Sequence, residues 1–89
     1  MVAIKRLVLD ILKPHHPNAL DFSMLLAAQG NHRVRLMVVE MDDKTETLQV
    51  VIEGTDIDFA RVQAAIAESG ASLHSIDEVE VEGDAGPPA

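Results

Sequence analysis

Arg33-Val34-Arg35-Leu36-Met37-Val38-Val39-Glu40-Met41, a polar turn Asp42-Asp43-Lys44-Thr45, and Glu46-Thr47-Leu48-Gln49-Val50-Val51-Ile52-Glu53 decide the fold. Two segments rich in β-branched residues alternate around four polar ones, which is the pattern of a β-hairpin. With Met41 set opposite Glu46, the predicted register pairs Glu40 with Thr47, Val38 with Gln49, Leu36 with Val51 and Val34 with Glu53. Leu48, Val50 and Ile52 then share one face with Met37, Val39 and Met41. The other face receives Val34, Leu36, Val38 and Val51.

On the N-terminal side of the hairpin, Asn18 to Gln29 carries Ala19, Phe22, Leu25 and Leu26 at helical spacing. Ahead of that, Val2 to Leu12 alternates Leu7, Leu9 and Ile11 with Arg6, Val8 and Asp10, the period of a strand with one covered face. The two prolines of Lys13-Pro14-His15-His16-Pro17 separate strand from helix. On the C-terminal side, Asp58 can cap a helix over Asp58 to Ser69, Ile57 can staple onto Val62, and Gly70 suits the left-handed cap. Phe59, Val62 and Ile66 form its buried stripe. In the last strand, Ser72 to Val81, Leu73 and Ile76 cannot share a layer with Val79 and Val81 unless the strand bulges. The order β-α-β-β-α-β predicts an α+β, ferredoxin-like two-layer sandwich, a four-stranded antiparallel sheet with two helices on one face. Residues 1–82 form the single domain, and 83–89 form a flexible polar tail.

Composition narrows the functional classes. The chain of 89 residues has no Cys, Trp or Tyr, which removes disulfides, thiolate chemistry and most base stacking. A formal charge of −8 argues against nucleic acid as a partner. No apolar run is long enough for a membrane span and no signal-peptide pattern is present, so the expected location is cytoplasmic. Nucleophile-elbow and phosphate-loop motifs are missing, and Ser75, His74 and Asp77 are too close on one strand to form a relay. The chain is therefore not expected to be an enzyme.

Four segments carry a resemblance: Arg6-Leu7-Val8-Leu9-Asp10-Ile11-Leu12-Lys13-Pro14-His15, Val38-Val39-Glu40-Met41-Asp42, Val51-Ile52-Glu53-Gly54 and His74-Ser75-Ile76-Asp77-Glu78-Val79. In this order they resemble the archaeal proteins grouped as domain of unknown function 211, over nearly the whole chain. The resemblance implies a small ferredoxin-like protein without assigned activity, ring-like homo-oligomers, and calcium in some members. His16 departs from that pattern, where an acidic or neutral residue is more usual.

In a sheet of order four-one-three-two, the ends of the first two strands and the start of the last meet at one rim. Asp10, His15, His16, Glu40, Asp42, Asp43, Glu46 and His74 are expected there. Asp10, Glu40, Asp42 and Asp43 are the candidate ligands of a divalent cation, calcium for preference, in a site shared between neighbouring copies. Val8, Leu36, Val38 and Val51, on the face that no helix covers, are the candidate association surface. A zinc site at the three histidines is disfavoured because His15 and His16 diverge in an extended loop. The competing reading is a metabolite-sensing regulatory module with His15 and His74 lining the ligand site.

Overall fold

The computed structural model describes residues 1–84. Strand β1 (Val2–Pro14) leads into helix α1 (Ala19–Ala27), the hairpin β2 (His32–Met41) and β3 (Thr45–Gly54), helix α2 (Phe59–Glu68) and strand β4 (Ser72–Gly83). The sheet order is β2-β3-β1-β4 with every pairing antiparallel. This is the ferredoxin-like α+β sandwich anticipated from the pattern.

Each helix begins where the sequence supplies a cap. Asn18 Oδ1 accepts from the Asp21 amide at 2.8 Å, and Asp58 Oδ1 accepts from that of Arg61 at 3.2 Å. Both satisfy amides that have no partner inside the helix. Helix α2 gives way to Gly70, whose φ of 86° is the left-handed geometry that a side chain would strain. Phe22 and Leu26, four residues apart on α1, and Val62 and Ile66 on α2 are buried against Leu7, Leu9, Ile11, Leu48, Val50 and Ile52. Removing one such aliphatic side chain typically costs about 2–5 kcal/mol. Leu25, placed in the α1 stripe by its spacing, instead lies at the flank and is exposed.

The hairpin register holds at the turn, where Met41 faces Glu46 and Glu40 faces Thr47, and then departs from expectation. An irregularity between Val38 and Glu40 leaves Val39 without a partner, and Val38 pairs with Leu48. A single extra residue inverts every side chain beyond it, because the strand period is two. Val34 and Leu36 therefore pack on the helix-covered core, opposite Ile52 and Val50, and not on the open face. Arg35 and Met37 take the open face in their place, opposite Val51 and Gln49.

Strand β4 bulges as its composition requires. The register against β1 shifts between Val8 and Leu9, skipping Asp77, and between Asp10 and Ile11, skipping His74. Leu73 faces Ile11 and Ile76 faces Leu9, while Val79 faces Leu7. The strand continues to Gly83, opposite Val2, and the Asp84 amide donates to the Met1 carbonyl at 2.8 Å. The domain thus extends past residue 82. The rest of the expected tail, residues 85–89, lies outside the described residues.

Candidate functional site

On the open face the expected apolar patch is replaced by rows of charge. One row reads Arg33, Glu53, Arg6, Glu80 from β2 to β4, and the next reads Arg35, Val51, Val8, Glu78. Arg6 reaches Glu53 at 2.9 Å and Glu78 at 3.3 Å, and Arg33 reaches Glu53 at 3.4 Å. Hydrogen bonds from Arg33 and then Arg6 hold the Glu53 carboxyl below its ordinary value. Between these rows Val8 is buried, while Val51 is half-buried and lines a shallow hollow with Arg6, Arg35, Met37 and Gln49. Of the four residues expected on the open face, Leu36 is on the helix side and Val8 is covered, Val51 is half-exposed on the open face, and Val38 is exposed on the helix side at the sheet edge.

Apart from Val2 and Leu12 of β1, the exposed large apolar groups of the sheet lie at its two edges. On β2 they are Met37, Val38, Val39 and Met41, joined by Leu20 and Met24 of α1, the helix that packs on β2. On β4 they are Ile76, Val79 and Val81. The edges differ in charge. Arg33 and Arg35 stand on β2 at the sheet levels where β4 carries Glu80 and Glu78.

At the rim, three side chains form a compact network. Lys13 continues the Leu7, Leu9, Ile11 alternation onto the helix side, and Glu46 continues that of Leu48, so the two are cross-strand partners. Lys13 is fully buried and donates from Nζ to the Pro14 and Pro17 carbonyls. Its Nζ also lies 3.0 Å from Glu46 Oε1, a charge contact without good hydrogen-bond alignment. His15 completes the group: Nδ1 is 3.1 Å from Glu46 Oε2, and Nε2 is 2.9 Å from the carbonyl oxygens of both Asp42 and Asp43. The hydrogen bond to Glu46, reinforced by the Asp43 carbonyl, raises the His15 pKa above its ordinary value. The same bond, with help from Lys13, lowers that of Glu46.

The remaining candidates are dispersed. Asp10 and His74 line an open hollow of about 270 Å³ with Leu12 and Thr47, while Asp42 and Asp43 border the turn and Glu40 sits on β2. Among the described residues no three His, Asp or Glu side chains approach closely enough to hold a metal ion. One copy of the chain therefore does not assemble the cation site expected from Asp10, Glu40, Asp42 and Asp43. His15 and His74 are not joined in one ligand site either, because His15 is committed to Glu46 and the turn. Sequence reasoning missed the burial of Lys13 and the basic edge formed by Arg33 and Arg35. The first was legible in the alternation of β1, and the second was hidden by the bulge at Val39.

Fold and surface define a class before they define a member: a ferredoxin-like domain with unlike sheet edges and no helix long and apolar enough to cross a membrane among the described residues. Residues 5–85 match the family described as DUF211, uncharacterized ArCR, and the chain belongs to that family. It is also similar to the uncharacterized protein MJ0319 of Methanocaldococcus jannaschii, with 45% identity over 80 residues, covering 89% of this chain and 82% of the relative.

Proposed function

We propose that the protein is a structural subunit that assembles with copies of itself, joining the β2 edge of one copy to the β4 edge of the next. The observation that carries this reading is the complementarity of those edges: Arg33 and Arg35 on one, Glu80 and Glu78 on the other, at matching sheet levels. Continuing the sheet from β2 into a neighbour's β4 preserves its antiparallel alternation and would supply partners to backbone groups on the outer sides of both strands. Met37, Val39, Met41, Val79 and Val81 lose water in the same step. Head-to-tail contacts between unlike surfaces close into rings when the rotation per copy allows it. A divalent cation belongs in this reading only as a ligand shared by two copies, since one copy offers no complete site among its described residues.

Sedimentation analysis of wild type, Arg35→Glu and Glu78→Arg, a swap within one sheet level, tests the reading. Each variant alone sets like charges against each other at the Arg35–Glu78 level of every junction and should be dissociated, whereas an equimolar mixture pairs opposite charges at that level in alternating copies and should reassemble. A wild-type chain that stays monomeric at high concentration, with and without calcium, rules the reading out.

A further inference from the structure

The geometry points to His15 as a protonation-operated staple that fastens the tip of the β2–β3 hairpin and so sets the order of the β2 edge. This inference rests on the assembly reading only in its second half. Nδ1 faces a carboxylate oxygen of Glu46, and Nε2 faces the carbonyl oxygens of Asp42 and Asp43. All three are acceptors with no proton to give. The cationic ring, with a proton on each nitrogen, satisfies both directions at once.

A neutral ring keeps one proton and must turn a lone pair toward oxygen on the other side. If Nδ1 keeps it, the turn is released; if Nε2 keeps it, the ring confronts the Glu46 carboxylate. Losing the proton therefore replaces an attraction with a repulsion at contacts of 2.9 to 3.1 Å. Water reaches the ring, whose side chain is 34% exposed, while the glutamate beneath it is only 8% exposed.

The charged and titratable neighbours favour the cation. Glu46 on β3 is shared with Lys13 on β1, while the turn contributes Asp42, Asp43 and Lys44, and His16 adjoins on the loop. Thr45 and Glu46 are held by pairing with Pro14 and Lys13 of β1, and Met41 by pairing with Glu46, but Asp42 to Lys44 lie outside the strands, where the Asp42 amide donates to the Thr45 carbonyl at 2.8 Å. The staple is thus a substantial part of what orders the turn. Val39, Met41 and the rest of the upper β2 edge run directly into this turn, so releasing it loosens the part of the strand that a neighbouring copy would pair with.

Hydrogen exchange of amides 42–46 and NMR titration of the His15 ring, followed from pH 5 to pH 9 in wild type, His15→Gln and Glu46→Gln, decide the matter. Protection factors in the turn should fall about fivefold, roughly the worth of one such hydrogen bond, with the midpoint of the ring titration. In His15→Gln they should not follow pH. Glu46→Gln keeps an acceptor but removes the charge, and should bring the midpoint down. A turn whose protection ignores the His15 titration, or tracks pH equally in His15→Gln, overturns the staple. Sedimentation at pH 5.5 and pH 8.5 reads the second half: association should weaken at the higher pH in wild type alone. Equal association at both, with a responsive turn, refutes the link to assembly and leaves the staple standing. A responsive turn in a chain that never associates refutes the assembly reading itself.

Discussion

Lys13 and Glu46 are directly opposed on β1 and β3, 3.0 Å apart on the helix-covered face, with the lysine entirely removed from solvent. A buried ion pair adds little over a well-packed apolar pair, but breaking one from a single side strands a charge. Lys13→Met should therefore destabilise the fold by about 3–5 kcal/mol, the more so because the Pro14 and Pro17 carbonyls lose their donor. Lys13→Met with Glu46→Leu should recover part of that loss. Urea unfolding of the two single variants and the double variant measures the coupling.

Stability should peak in mildly acidic solution. The His15 pKa is raised on folding, so its contribution is complete below the ordinary value of 6.5 and disappears as pH rises through the folded value. The Glu46 pKa is lowered, so its contribution is present above the ordinary value of 4.5 and disappears as pH falls through the folded value. Both operate together between those ordinary values. Urea midpoints measured across pH should decline on each side of that window, and His15→Gln should flatten the alkaline limb.

Facing along β2 can be read from a pair of neighbours. Leu36→Asp buries a carboxylate against the core and should cost about 2 kcal/mol or more. Met37→Asp, one residue away on the open face, should change monomer stability by no more than about 0.5 kcal/mol. Thermal unfolding of both variants distinguishes the bulged register from the regular one, which reverses the order.

Gly54 sits where β3 passes the start of β2, and a Cβ there would lie 2.8 Å from His32 Cβ and 3.1 Å from the Asn31 carbonyl oxygen. Both neighbours are held by the backbone, so relief requires the strands to part. Gly54→Ala should cost about 1–3 kcal/mol by overpacking, visible as a lowered urea midpoint with an unchanged slope.

Element order, the cap of α2 and most of the core were legible because each rests on local chemistry: Asp58 as a cap, Gly70 at a left-handed turn, Leu7, Leu9 and Ile11 in alternation. The need for a bulge in β4 was legible too, since Leu73, Ile76 and Val79 are spaced for two phases at once. Nothing comparable marks Val39, because Val34, Leu36 and Val38 look equally apolar in either phase. That ambiguity placed the expected association surface in the middle of the open face, whereas most of the exposed apolar groups lie at the sheet edges. The rim was legible as a meeting of His15 with the acids beyond the strands, but convergence of carboxylates into one site is a matter of side-chain reach that strand order does not convey.

The ladder from Arg33 through Glu53 and Arg6 to Glu80 gives a strongly anionic molecule a lateral polarity, positive on one flank and negative on the other. Such a body behaves as an electric dipole as well as a net charge. Two copies approaching in dilute salt would repel through their like net charges yet experience a torque that turns unlike flanks toward each other before any atoms touch, and added electrolyte would weaken the repulsion and the steering alike.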